Sequence, residues 1–273
     1  MPELPEVEIT CRGIRPHVEG QVLRAVTVRD ARLRQPVPDD LAAELPGRAL
    51  TRVGRRGKYL LFDFEPIAGL VVHLGMSGSL RFAAPSEPPG PYDHVEFRFD
   101  EGALRLRDPR RFGLVVWHAA PAGSHPLLAD IGPEPLEEGF DGAYLYRASR
   151  GVHAPVKHFL MDARRVAGIG NIYASESLFR ARIHPLTPAG RIGAKCYDVL
   201  ARELKATLLD SIAAGGSTLR DFVGGDGRPG YFQQRYFVYG REGEPCRVCG
   251  ARIARVVSAG RSGFFCPVCQ KHD

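Results

Sequence analysis

Cys246-Arg247-Val248-Cys249 and Cys266-Pro267-Val268-Cys269, two CxxC knuckles separated by sixteen residues, set the character of the last segment of this 273-residue chain. Four thiolates in two pairs suit tetrahedral zinc, and the spacing falls within the four-cysteine zinc pattern. The residues between them, 252–257 and 264–265, alternate like two strands of a hairpin. A segment of about 30 residues has little core of its own, so the metal is expected to supply its stability. With all four positions filled by sulfur, one Zn2+ here is structural. Two disulfide or redox pairs are the alternative, and they suit an oxidising compartment. The N-terminus has no basic region followed by an apolar one, so it does not read as a signal peptide and a reducing cytosol is expected. Cys11 and Cys196 stand apart and are expected to be packing residues.

The hairpin carries Arg252, Arg255 and Arg261, and Arg261 precedes Ser262-Gly263 at its expected tip. It is a candidate phosphate grip, with a solvated surface arginine as the plain alternative. The wider charge pattern bears on the choice. The net charge is +6, and residues 150–195 hold eight Lys/Arg against Asp162 and Glu176. Residues 220–273 hold nine against five acids, whereas the first 149 are slightly acidic. A basic C-terminal half is expected of a part that holds a polyanion, although charge alone fits a solvated surface equally well. Hydrophobic content of 44% and charged content of 25% are those of a soluble globular protein. No run approaches 18 apolar residues, which excludes a membrane-spanning helix.

Upstream, Val166-Ala167-Gly168-Ile169-Gly170-Asn171 joins two helical patterns, 154–163 and 171–182. The glycines allow a tight turn, and Asn171 is expected to cap a helix beginning at Ile172. Amides at such a terminus bind phosphate readily, and Arg164 and Arg165 lie beside it. A purely structural turn stays open. A longer helix, 195–214, ends at Gly215-Gly216. Residues 121–142 are rich in Pro and Gly and read as a hinge, and 221–230, with four glycines and a proline, as a mobile stretch.

Before the hinge the pattern is β. Runs at 22–28, 58–62, 70–74, 94–99, 104–106 and 114–117, punctuated by Gly, Pro and Asp, suggest a β-sandwich or flattened barrel. Ahead of them, residues 3–17 read as an amphipathic helix with Leu4, Val7, Cys11 and Ile14 on one stripe. Removal of Met1 exposes Pro2 as a secondary amine. Terminal amines have an ordinary pKa of about 7.7–8.0, so a useful fraction is neutral near pH 7. Such an amine attacks an electrophilic sugar carbon and forms an iminium, with the adjacent Glu3 placed to carry protons. An unstructured terminus is the plain alternative.

Together these pieces resemble the bacterial formamidopyrimidine-DNA glycosylase family, relatives of endonuclease VIII. The resemblance rests on Pro2-Glu3-Leu4-Pro5-Glu6, Gly57-Lys58-Tyr59 and His73-Leu74-Gly75-Met76-Ser77-Gly78. It continues through Asp108-Pro109-Arg110-Arg111-Phe112-Gly113, Gly168-Ile169-Gly170-Asn171-Ile172-Tyr173-Ala174 and Phe265-Cys266-Pro267-Val268-Cys269-Gln270. Six separated motifs in order make the resemblance specific over the whole chain.

The resemblance implies an α+β fold. Residues 1–131 form an N-terminal helix and β-sandwich, and 132–235 a helix–two-turn–helix domain with a lesion-covering loop at 217–230. Residues 236–273 form a four-cysteine zinc finger. It also implies a bifunctional DNA glycosylase and AP lyase, cytosolic and monomeric, acting on damaged double-stranded DNA. In that chemistry Pro2 attacks C1′ of the damaged nucleotide and Glu3 is general acid and proton shuttle. Lys58 assists β-elimination and Arg261 δ-elimination. The base must leave the stack, and Met76, Arg110 and Phe112 match the side chains that fill the gap. His73 and Asn171 match further DNA contacts. Tyr92 stands where close relatives often carry a histidine that contacts DNA. A lysine-rich run of some relatives is thinned here to Arg150-Gly151-Val152-His153, leaving Arg150 or Lys157 to take that phosphate. Oxidised purines are the implied substrates. An endonuclease VIII-like enzyme for oxidised pyrimidines, and an inactive lesion- or RNA-binding module, are the competing readings.

Overall fold

The computed structural model describes residues 2–217 and 231–271. It divides into two compact units, Met1–Ala129 with Ile212–Gln233, and Asp130–Ser211 with Gln234–Asp273. The lesion-covering loop expected at 217–230 lies, apart from Ser217, outside the described residues.

The first unit opens with helix α1 (Leu4–Val18), followed by strand β1 (Ala25–Val28) and a one-turn helix α2 (Leu41–Glu44). Strands β2 (Ala49–Arg56), β3 (Tyr59–Glu65), β4 (Ala68–His73) and β5 (Ser79–Ala83) come next, then β6 (Asp93–Arg98), β7 (Ala103–Arg107) and β8 (Leu114–His118). They form two antiparallel four-stranded sheets, ordered β1-β6-β7-β5 and β2-β3-β4-β8. Leu60, Phe62 and Phe64, alternate residues of β3, are buried together with Val95, Phe97, Leu104 and Leu106 of the other sheet. A single core fed by both inner faces is a β-sandwich. Val7, Cys11, Ile14 and Val18 of α1 enter the same core at helical spacing.

All six expected runs contain strands, but β2 and β5 escape the sequence pattern. In β2 only Leu50 and Val53 are buried, and a register shift between Leu50 and Arg52 breaks the two-residue period. Arg52, Arg55 and Arg56 then make the segment read as loop. Strand β5 is five residues long and follows directly on a Gly/Ser-rich turn.

The second unit contains α3 (Gly142–Ser149), α4 (Val156–Met161), α5 (Asn171–Arg180) and α6 (Ala194–Ala213), the last belonging to it as far as Ser211. It ends in the hairpin β9 (Ala254–Ser258) and β10 (Arg261–Phe265). Helix α3 is the element the sequence conceals, because it starts on a glycine. The Asp141 carboxylate caps it by accepting the Tyr144 N–H at 2.6 Å. A Cβ on Gly142 would lie 2.1 Å from Asp198 Oδ1, so only glycine permits that approach. Phe179 of α5, Val238, Cys246, Ile253 and Cys266 form the small core beneath the hairpin. Among the described residues no helix is long and apolar enough to cross a membrane.

Candidate catalytic terminus, nucleic-acid interface and zinc site

Pro2 and Glu3 are buried immediately before α1. Glu3, in an extended conformation, is the N-cap residue. Its N–H donates to Glu6 Oε2 at 2.9 Å, and its own carboxylate accepts the Glu6 backbone N–H. This reciprocal capping box fixes the terminus at the positive end of the helix and keeps it from fraying. The other Glu6 oxygen accepts the Ser217 N–H at 2.9 Å, which ties the root of the 218–230 segment to the same carboxylate.

Lys58 sits in the two-residue turn between β2 and β3, where Arg56 pairs with Tyr59. Gly57 takes φ +56° and Lys58 does not share the positive φ, the pattern of a type II′ hairpin. Arg55 braces this turn. Its Nη1 donates to the Gly57 carbonyl at 2.9 Å and its Nε to Glu8 Oε2 of α1 at 3.0 Å. Burial alone would push the Glu8 carboxyl up, but hydrogen bonds from Arg55 and Arg12 hold it below the ordinary range.

His73 ends β4 opposite Tyr59, their rings 4.9 Å apart. Its Nδ1 accepts the Gly75 N–H at 2.9 Å, so the neutral ring carries its proton on Nε2. Burial, then the charges of Lys58 and Arg34, push its pKa down to about 4. His73 therefore offers a hydrogen bond and not a positive charge.

Met76, Tyr92 and Phe112 are each 43% exposed. The Arg110 guanidinium lies 5.1 Å from the Phe112 ring centre, and that of Arg107 5.7 Å from the Tyr92 ring. A Cβ on Gly75, at φ +63°, would lie 2.4 Å from the Phe112 carbonyl carbon, so the Met76 loop and the Arg110–Phe112 loop run in backbone contact. Buried Asp108 fastens them: one oxygen accepts the Ser77 hydroxyl at 3.0 Å, the other the Gly113 N–H at 2.7 Å. The Asp108 N–H donates to the Tyr92 carbonyl at 3.0 Å. Asp108 opens the Asp108–Gly113 motif, but its position in the sequence does not reveal that it fastens two loops.

In the second unit Asn171 is the first residue of α5, and Gly170, not Asn171, is its N-cap. The extended backbone of Gly170 lets the helix start one residue earlier than the capping argument expects. The Asn171 Oδ1 atom is buried and has no hydrogen-bond partner among the described residues. Further along α5, the buried Glu176 carboxylate accepts the N–H groups of Phe237, Val238 and Tyr239 at 2.8–3.0 Å. Burial raises its pKa, with the three N–H donors opposing. Glu176 thus holds the chain that leads into the finger. A lone acid among small and apolar helix neighbours is the one signal the sequence offers for it.

Arg150 lies over the Tyr146 ring at 4.0 Å and donates to the carbonyls of Tyr146 and Ile192 and to the Ser149 hydroxyl. Lys157 is a correction. Only 4% exposed, it donates to the Ser262 carbonyl of β10 at 2.7 Å, so its ammonium braces the hairpin and is not presented as a surface phosphate contact. Arg261 follows the Ala259-Gly260 turn and is exposed.

The four finger cysteines present sulfur atoms all within 4.8 Å of one another. Cys249 and Cys266 are 3.4 Å apart and Cys246 and Cys269 4.0 Å. A tetrahedron of Zn–S bonds of about 2.3 Å has edges of about 3.8 Å, so the set fits one zinc ion. Gln270 supports it: Oε1 accepts the Cys266 N–H and Nε2 donates to the Ile183 carbonyl, each at 2.9 Å.

Family models match three stretches: the formamidopyrimidine-DNA glycosylase N-terminal domain over residues 1–115, its H2TH domain over 131–223, and a zinc finger found in FPG and IleRS over 243–271. The formamidopyrimidine-DNA glycosylase of Aromatoleum aromaticum is 65% identical over 271 residues, covering 99% of this chain and 100% of the relative. A crystal structure of a Lactococcus lactis FPG mutant bound to Fapy-dG-containing DNA superposes with a TM-score of 0.91 at 34% identity. A MutM complex with carbocyclic 8-oxo-G-containing DNA gives 0.90 at 34%. Each superposition covers 99% of this chain and 100% of the other.

Proposed function

The chain belongs to the formamidopyrimidine-DNA glycosylase family, and on that premise we propose that it excises oxidised purines, 8-oxoguanine and formamidopyrimidines, from duplex DNA and then cuts the strand. The observation that carries this is the Glu3–Glu6 capping box, which holds Pro2 at a defined place at the head of a helix.

After Met1 is removed, the neutral Pro2 nitrogen attacks C1′ of the flipped nucleotide. The glycosidic bond breaks, and the base leaves with its electron pair and with the proton that the Pro2 nitrogen sheds. Glu3 protonates the ring oxygen as the sugar opens, which gives an iminium between Pro2 and C1′. Loss of a C2′ proton then expels the 3′ phosphate (β-elimination), and loss of a C4′ proton expels the 5′ phosphate (δ-elimination). Lys58 and Arg261 hold the phosphates that depart. Met76, Arg110 and Phe112 fill the gap left by the base, and His73, Tyr92, Arg150 and Asn171 contact the DNA backbone. Cys246, Cys249, Cys266 and Cys269 would hold a structural zinc ion, which would keep the hairpin that presents Arg261 folded.

Segments 1–131, 132–235 and 236–273 are read as catalytic, helical DNA-binding and finger parts of a cytosolic monomer. The relatives solved with Fapy-dG and 8-oxo-G DNA favour oxidised purines over pyrimidines. Borohydride trapping on an 8-oxoguanine:cytosine duplex tests the mechanism. A covalent adduct is expected with the processed chain and not with Pro2→Gly. No adduct, or one that survives this substitution, overturns it, and preferential excision of thymine glycol supports the pyrimidine reading instead.

A further inference from the structure

Two cavities meet where α5 ends against the zinc knuckles. The larger, of ≈ 490 Å³, is lined by Arg182, Val248, Cys249, Val268, Cys269 and Lys271. The smaller, of ≈ 230 Å³, shares Arg182, Val248 and Cys269 with it and reaches Phe237, Arg180 and Glu203. They form one groove within the second unit. Val248 and Val268 hold the same place in the two knuckles, directly before the second cysteine of each, and are 58% and 54% exposed. Two branched apolar side chains thus face water in a groove that continues to the partly buried Phe237 ring.

Arg182 is the residue that points to a ligand. The chain leaves α5 by a Schellman motif: the Ile183 N–H donates to the Leu178 carbonyl and the Arg182 N–H to that of Phe179, each at 3.0 Å. The left-handed position of that motif ordinarily holds glycine, but here it holds Arg182, at φ +58°. Arg180, in the last turn, already answers the negative end of the helix. It lies over the Phe237 ring at 5.6 Å and pairs with Asp210 at 2.7 Å. The Arg182 guanidinium, by contrast, is exposed and has no hydrogen-bond or ion-pair partner among the described residues. Lys271, also lining the larger cavity, is exposed and equally without such a partner among them. A strained position that carries an unengaged guanidinium into a groove marks a functional constraint.

We propose that this groove receives an acidic, partly apolar peptide segment of a partner protein. Its carboxylates meet Arg182 and Lys271, and one large apolar side chain is covered by Val248, Val268 and Phe237. Nucleic acid fits the groove less well. A phosphate backbone calls for a row of cations, and here the cations share the walls with two valines, while Glu203 lines the smaller cavity. Glu203 lies 3.4 Å from Arg202, which offsets its charge toward an acidic guest. The groove also stands clear of the residues read as DNA contacts. Asn171 opens α5 and Arg182 follows its end, roughly 15 Å along the axis. The knuckles close the base of the hairpin whose tip carries Arg261, again roughly 15 Å along the strand. A partner held here can therefore stay bound while the chain grips a duplex.

A random peptide library displayed on phage, panned on the immobilised zinc-loaded full chain, tests it. Enriched peptides are expected to carry several Asp or Glu around a Leu, Ile, Phe or Trp. The tightest, made with a fluorescent label, is then titrated by anisotropy. Val248→Ser should weaken it about tenfold, the scale of burying one valine side chain. Arg182→Gly should weaken it about fivefold, the upper scale of an exposed ion pair. The same variant should unfold at equal or higher urea, because glycine relieves the left-handed strain. Both variants should keep their zinc and an unaltered affinity for a duplex. No enrichment, enriched peptides that lack acids or a large apolar residue, or an affinity that neither substitution lowers overturns the proposal. A thymidine oligonucleotide of equal charge that binds as tightly, and is weakened by the same two substitutions, overturns it in favour of nucleic acid. Self-association of the chain that Val248→Ser abolishes overturns it in favour of a second copy. Peptide binding needs neither Pro2 nor a lesion, so failed trapping leaves it standing.

Discussion

Arg55 donates to Glu8 of α1 and, with a second nitrogen, to the carbonyl of Gly57. The helix that follows Pro2 and the turn that presents Lys58 are thereby braced by one guanidinium, with side chains only 10% and 20% exposed at the Arg55–Glu8 contact. Replacement by Met keeps the aliphatic stem and removes both bonds. Arg55→Met is expected to lose about 1–3 kcal/mol in urea unfolding, and to slow strand cleavage more than it weakens duplex binding. Lysine, able to restore one bond but not both, should recover part of each. Binding and cleavage that fall in equal proportion would refute the bracing role.

His73 makes stability depend on pH. Its folded pKa of about 4 lies below the ordinary histidine value of about 6.5. Its contribution is whole above pH 6.5, where the ring is neutral folded or unfolded. As pH falls from 6.5 toward 4 the unfolded chain takes up the proton first, and the contribution is lost. About 3 kcal/mol should disappear across that window, and His73→Asn should flatten the curve there. Urea titrations at pH 7, 5.5 and 4 measure it.

Zinc removal should separate the two halves of the binding apparatus. Trp117, the chain's single tryptophan, lies in β8 of the first unit and donates to Asp40 at 2.8 Å. A strong chelator is expected to leave its emission unchanged and to reduce duplex affinity at least tenfold, because the small core beneath the hairpin consists of Phe179 of α5, Val238, Ile253 and the two zinc-ligand cysteines Cys246 and Cys266. Emission that shifts in step with affinity would mean that the metal supports the first unit as well.

Phosphate contact predicts a salt signature. Arg261→Ala should lower the slope of log affinity against log salt by about one, the release of one counterion. An unchanged slope would remove Arg261 from the phosphate grip.

The sequence exposed what is periodic or chemically unusual. The short β-type runs at 58–62 and 94–99 mark strands, and the cysteine spacing marks the zinc site. What stayed hidden is tertiary. Lys157 reads as one more surface cation until Ser262, 105 residues away, takes its ammonium. Asp108 looks like a turn residue, and Glu176 like one of two acids in a basic stretch, although each organises backbone from distant segments. Asn171 was misplaced by one position because Gly170 adopts the cap conformation without any side chain to announce it.

The shared carboxylate of Asp108 has a consequence for how this surface evolves. Since Ser77 and Gly113 answer to the same two oxygens, neither loop is free to change length or pitch alone. Met76 and Phe112 behave as teeth on a single cog. Substitutions along the two loops should therefore be epistatic, with Ser77→Ala and changes at Arg111 or Phe112 failing to add. New lesion preferences would then arise through paired exchanges across Asp108 and not through drift in either loop.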